Sequence, residues 1–128
     1  GAAELHLGNL ETTRDFNYVK DTAEGFIALA ESEASNGEAI NLATGEDISI
    51  GDLAKMLMEI TGQSAEIVTD TQRVRPARSE VQRLLGDATK ARKLLGWAPR
   101  HDLRTGLAET VEWMKRNRHL YKAHQYVV

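Results

Sequence analysis

The sequence predicts an α/β domain built on a small, partly parallel sheet with packed helices, and three observations carry that prediction. Short runs of alternating apolar and polar residues recur through the first half of the chain. Between and after them lie stretches whose apolar residues repeat at helical spacing, each opened by Ser or Asp. The resulting order is strand, helix, strand, helix, strand, loop, helix, helix.

Leu5-His6-Leu7 alternates and stops at Gly8-Asn9, which reads as a brief strand. Arg14 to Val19 alternates too, with Phe16 and Tyr18 on one face. Asp21-Thr22-Ala23-Glu24 has the form of a capping box, with Asp21 as the N-cap. Ala23, Phe26, Ile27 and Ala30 then follow at helical spacing as an inward face, and the helix should end before Gly37. Ala39 to Ala43 is the next strand, stopped by Thr44-Gly45. Ser49 caps a second helix whose buried stripe is Ile50, Leu53, Leu57 and Ile60, and Thr61-Gly62 closes it. Ala65 to Val68 is a further short strand. Asp87 caps a helix with Ala88, Ala91, Leu94 and Leu95 inward; Gly96 ends it and Trp97 packs back on the core. Asp102 caps the last helix, with Leu103, Leu107, Val111 and Met114 on one face. From Arg116 the chain is polar and then mixed, so residues 1–115 read as one domain and 116–128 as a tail.

A chain of 128 residues has room for one modest core. Its apolar residues are spread out, and no run approaches the ~20 needed to span a bilayer. The start carries no basic and apolar leader, so no signal peptide is expected. The absence of cysteine excludes disulfides and thiolate chemistry and fits a reducing compartment, so a cytoplasmic location is expected. A formal charge of −3 argues against a nucleic-acid binder. His6, His101, His119 and His124 lack metal-ligand spacing, so no metal centre is expected. Gly45 to Gly51 does not fit the strand, Gly-rich turn, helix pattern of a dinucleotide site, and there is no P-loop and no nucleophile elbow. Glu46, Asp47 and Asp52 read as cap and turn residues. Binding chemistry is visible, and no catalytic residue is expected in this chain.

That binding chemistry centres on Arg73-Val74-Arg75-Pro76-Ala77-Arg78-Ser79-Glu80, a cationic cluster in an acidic chain that ends on a carboxylate. Guanidinium forks match phosphate oxygens, a proline stiffens the segment, and a carboxylate can accept from sugar hydroxyls. The same residues also suit a solvated basic loop. Arg14 could pair with Asp15 or Glu11 on a strand surface, and Phe16 and Tyr18 suit a core.

Four segments in register give these residues a context. Thr13-Arg14-Asp15-Phe16-Asn17-Tyr18-Val19-Lys20-Asp21-Thr22 resembles the RDFxYVxD signature of extended short-chain dehydrogenase/reductases, the nucleotide-sugar epimerases and 4,6-dehydratases. Arg73 to Glu80 is similar to their later Arg-Pro loop, Gly86 to Pro99 to their DxSKAxxLLGWxP segment, and Leu103 to Met114 to their closing helix. Ile48 to Ala54 and Arg75 to Val81 resemble, within that family, the dehydratases acting on UDP-N-acetylglucosamine and similar substrates. The resemblance implies that this is the C-terminal, nucleotide-sugar-binding part of such an enzyme. Arg14 and Arg75 would contact the diphosphate, with Arg78 a rival for the second contact, and Glu80 would accept from ribose hydroxyls. NAD(P) would be bound by an N-terminal Rossmann domain, which would also carry the Tyr-x-x-x-Lys pair; Tyr18 and Tyr121 are followed four positions on by Thr22 and Gln125. The implied partners are that domain, the nucleotide-sugar and, in the parent enzyme, a second subunit. The alternative is a stand-alone, non-enzymatic module that binds a phosphorylated ligand or a protein.

Overall fold

The computed structural model describes residues 3–74, 76 and 81–121. Strand β1 (Glu4–Leu7) pairs in parallel with β4 (Glu66–Thr69), Leu5 opposite Ile67. Strand β2 (Thr13–Arg14) is the centre of a second sheet, antiparallel to β3 (Ile48–Ser49) and parallel to β5 (Arg83–Leu84). Among the described residues there are four α-helices: α1 (Val19–Glu31), α2 (Ile50–Thr61), α3 (Thr89–Leu95) and α4 (Leu103–Arg116). The expected α/β class with partly parallel pairing is present, divided between two small sheets.

Local signals position several elements. Ser49 Oγ accepts from the Asp52 amide at 3.1 Å, and Asp102 Oδ1 accepts from the Thr105 amide at 2.7 Å, so α2 and α4 start where their caps lie. Gly62 and Gly96 close α2 and α3 at φ of 65° and 63°, a region that only glycine adopts without strain. Asp87 works from one residue outside the cap position, which is Ala88; its carboxylate accepts from both the amide (2.9 Å) and hydroxyl (2.6 Å) of Thr89.

Asp21 is not the cap of α1. The helix begins at Val19, with Tyr18 in the cap position and no side-chain cap bond. Asp21 lies in the first turn, 1% exposed, and its carboxylate accepts from the backbone amide of His101 (3.0 Å) and meets the His101 ring at 2.8 Å. A partner 80 residues away has taken the group that a local cap would have used.

The core is built on small residues. Ala43, Ala88, Ala91 and Trp97 are buried together, with Ile40, Leu42 and Leu95 packed on them. Trp97 is held by packing and by its Nε1–H, which donates to the Asp21 carbonyl at 3.0 Å. Gly86 permits the closest approach in this layer, since a Cβ there would lie 2.2 Å from that of Ala43. Elsewhere α2 packs on α4, and their buried residues are Ala54 in α2 and Gly106 and Val111 in α4. Ile50, Leu53, Leu57 and Ile60 are only half-covered, and Met114 is exposed.

The inward face expected of α1 points out. Phe26 is 63% exposed and Ile27 58%, Ala23 and Ala30 are exposed, and the buried positions are Asp21 and Gly25. Gly25 faces the core because Leu42 presses on it: a Cβ at Gly25 would sit 2.4 Å from Leu42 Cδ1. Helical periodicity locates an apolar stripe but does not say which neighbour it meets. The strand expected at Ala39 to Ala43 is likewise absent, because a strand needs an edge to pair with and the described residues offer none there. The alternating run from Arg14 keeps one further ladder bond, from the Asp15 amide to the Leu84 carbonyl, and then leaves the sheet.

Candidate substrate-binding site

Arg14 sits at the end of β2, opposite Ile48 on one side and Leu84 on the other. Its Nη1 donates to the Thr13 carbonyl at 2.8 Å. Both flanking residues are tied down by carboxylates. On one side, Asp15 accepts from the Thr44 amide (3.0 Å), the Thr44 hydroxyl (2.6 Å), and the amides of Gly45 (3.0 Å) and Gly86 (3.2 Å). Burial alone would raise its carboxyl, but these donors together bring it below the ordinary carboxylate value.

On the other side, Asp47 accepts from the Thr13 hydroxyl at 2.6 Å and from Arg83 Nε and Nη2 at 2.8 and 3.2 Å. The Arg83 fork, and after it the Thr13 hydroxyl, bring the Asp47 carboxyl down to about 2. Asp47 was expected to be a turn residue; its part in this knot was not legible because Arg83 lies 36 residues away. Segment 44–47 thus bonds both flanks of Arg14, while segment 83–86 bonds Asp15 through Gly86 and reaches Thr13 through Asp47.

Of the sequence-based site residues, Arg14 is placed in this way. Arg75, Arg78 and Glu80 lie outside the described residues. The chain enters their segment through a short turn at Thr71–Arg73, where Asp70 accepts from the Gln72 amide at 2.9 Å and meets Arg73 Nε at 3.2 Å. It leaves through β5, where Thr13 and Asp15 donate from their amides to Gln82 (2.9 Å) and Leu84 (3.0 Å) carbonyls.

A second polar cluster sits where α1 begins. Glu109 Oε2 accepts from the Tyr18 hydroxyl (2.6 Å) and from Lys20 (2.9 Å), and the Tyr18 ring stands edge-on to His101 with centroids 4.8 Å apart. The bond to the Glu109 carboxylate raises the Tyr18 phenol, the opposite of what a tyrosine acting as a base needs. This cluster braces α1 against α4.

The N-terminus of α2 does not fit a dinucleotide's pyrophosphate. At α2, which follows Gly45, the first amides are already taken: Ile50 donates to the Thr12 carbonyl (3.1 Å), Gly51 to that of Leu10 (2.9 Å), and Asp52 to Ser49. A Cβ at Gly51 would meet the Leu10 carbonyl at 3.3 Å, so protein fills the place a pyrophosphate would need. No group of metal-ligating side chains occurs among the described residues, and no helix among them is long and apolar enough to cross a membrane.

One face is left apolar and open. Phe26, Leu29, Ile40, Leu42, Leu84 and Leu85 line a cavity of 540 Å³ beside Asp15 and Gly86. Asn17 reaches into it, donating through Nδ2 to the Leu42 carbonyl at 2.6 Å while its buried Oδ1 has no partner among the described residues.

Comparison with known proteins gives this arrangement its relatives. Residues 1–110 match the family model described as GDP-mannose 4,6 dehydratase. The UDP-glucuronic acid decarboxylase 1 of Xenopus tropicalis is 32% identical over 94% of this chain, which covers 27% of that protein. A putative UDP-glucose 4-epimerase of Methanocaldococcus jannaschii is 34% identical over 87% of this chain and 34% of its own length. Among solved structures, an epimerase from Methanothermobacter thermautotrophicus superposes with a TM-score of 0.83 at 32% identity, over 92% of this chain and 34% of the other. The UDP-glucuronic acid 4-epimerase of Bacillus cereus, solved with UDP-glucuronic acid and NAD, gives 0.79 at 32% identity, over 92% and 36%. The chain spans only 27–36% of the length of these relatives and belongs to the GDP-mannose 4,6-dehydratase family, among the nucleotide-sugar epimerases and decarboxylases of the extended short-chain dehydrogenase/reductases.

Proposed function

We propose that this chain is the nucleotide-sugar-binding part of an NAD-dependent nucleotide-sugar 4,6-dehydratase or epimerase. The observation that carries the reading is Arg14, fixed at a sheet end between two carboxylate-tied neighbours. A guanidinium whose backbone cannot drift loses little freedom on gripping a diphosphate. Arg75 and Arg78 would add charge to the same grip, and Glu80 would accept from the ribose. Binding energy from the diphosphate would then hold the sugar against the cofactor. NAD, held elsewhere in the longer protein, would accept a hydride from the sugar C4 and later return it.

The open face is the proposed seat for that cofactor-binding part. Supporting this, Phe26, the run at 40–43 and Asn17, whose buried Oδ1 has no partner among the described residues, all line the open cavity, and Ile27 beside Phe26 is exposed. Within the family we favour a UDP-N-acetylglucosamine-type 4,6-dehydratase, on the sequence patterns at Ile48 to Ala54 and Arg75 to Val81.

The test uses the longer protein. Arg14→Ala should raise KM for its nucleotide-sugar on the order of a hundredfold, the loss of a charge-assisted phosphate contact. Parallel Arg75→Ala and Arg78→Ala variants assign the second contact. Incubation with UDP-N-acetylglucosamine should yield a product lighter by one water; a product of unchanged mass would replace the dehydratase by an epimerase. If the longer protein neither binds nor turns over any nucleotide-sugar, the stand-alone binding module is the better account.

A further inference from the structure

We propose that Asp47 is a positioning residue for Arg14: by gripping Thr13 and Arg83 together it fixes the strand end from which Arg14 meets an anion. The inference rests on the diphosphate reading of Arg14 given above, and deepens it.

The geometry is specific. Asp47 immediately precedes β3, Thr13 immediately precedes Arg14 in β2, and Arg83 stands opposite Thr13 in β5. One carboxylate therefore joins all three strands of the sheet at the position beside Arg14. Two-residue strands cannot hold such a register by ladder bonds alone, since an isolated short pairing is marginal in water. The Asp47 side chain is 18% exposed and that of Arg83 64%, so the ion pair itself lies at the surface, and the Thr13 hydroxyl bond is what ties the carboxylate to β2.

The same contact sorts the cations. Arg83 spends both Nε and Nη2 on Asp47, so its fork is directed along the sheet. Arg14 gives Nη1 to the carbonyl of Thr13, the residue whose hydroxyl Asp47 holds. Movement of Thr13 would carry the Arg14 guanidinium with it. On the other flank, Asp15 binds Thr44 and Gly45, three and two residues before Asp47, so both clamps draw on one loop.

The experiment titrates the 128-residue chain with inorganic pyrophosphate and follows the Arg14 Nε–Hε resonance. The wild type should saturate, and Arg14→Ala should abolish binding. Asp47→Asn should weaken it about five- to tenfold while the far-ultraviolet spectrum stays native. Thr13→Val removes only the hydroxyl bond and should cost about threefold, with Thr13→Ser restoring wild-type affinity. A residue that merely stabilised the fold would lower the melting temperature and leave affinity at 25 °C unchanged; that result in Asp47→Asn overturns the inference. If Asp47→Asn does not fold, unchanged affinity in Thr13→Val overturns it instead. Loss of binding in Arg14→Ala with none in Asp47→Asn leaves the diphosphate reading standing and removes Asp47 from it. An Arg14 resonance that never responds to pyrophosphate overturns both.

Discussion

The surroundings of β2 and the outer side of α1 are opposite solutions to the same problem. Around β2, two carboxylates collect seven hydrogen bonds from segments far apart in sequence, and every strand is short because side chains do the joining. Across α1, Phe26 and Ile27 stand in water, and among the described residues the adjoining alternating run has no ladder and a buried amide oxygen has no donor. The chain has satisfied itself where it is polar and left itself incomplete where it is apolar. Hydrogen bonds of the first kind fix geometry; surface of the second kind gains free energy only when something covers it.

The largest effect should come from the small core that both regions share. Trp97→Ala removes the one large side chain of the buried cluster together with its bond to the Asp21 carbonyl, and should cost about 3–5 kcal/mol in urea unfolding. A cost below about 1 kcal/mol would mean that the β2 knot and the helix pair hold the fold without it.

Replacing Phe26 and Ile27 by serine breaks or sharpens the contrast directly. In the 128-residue chain the double variant should change stability by less than about 0.5 kcal/mol, because both residues already face solvent. In the longer protein it should cost about 2–3 kcal/mol, the worth of apolar area that becomes covered. Equal, small effects in both settings would show that nothing covers this face.

The smallest effect is a pH dependence confined to the β2 side. Asp15 and Asp47 have carboxyls below their ordinary values, Asp47 at about 2, so the folded state binds their protons less readily than the unfolded chain. Their contribution is complete above the ordinary carboxylate range near ~4 and is lost as pH falls through the folded values. The melting-temperature gap between wild type and Asp47→Asn should therefore be constant near neutrality and close as the pH approaches ~2. A gap independent of pH would mean that the charge on Asp47 does not matter.

What the sequence revealed follows the range of each interaction. Ser49 and Asp102 bond amides three residues away, so their caps are legible from a short window, and Gly62 and Gly96 end helices by a conformation only they favour. Asp21 looked like the same kind of cap and is not, because His101 reaches it from across the chain. The apolar stripe of α1 and the alternation at 39–43 were legible as patterns. Their orientation was not, since a pattern names a buried face without naming what buries it. In the candidate site, Arg14 was found through its motif. Asp15 suggests a surface partner for Arg14 and instead gathers Thr44, Gly45 and Gly86, and Asp47 with Arg83 has no sequence signal, as their pairing exists only once β2 and β5 are side by side.

Asp21 has one more consequence. Its carboxylate and its carbonyl hold two different points of the segment before α4, His101 and Trp97, while its own helix presents Phe26 and Ile27 outward. Two attachments four residues apart remove the freedom to pivot that a single one would leave. A load applied to the outer surface of α1 is therefore delivered, undiminished by slack at that joint, to the start of α4.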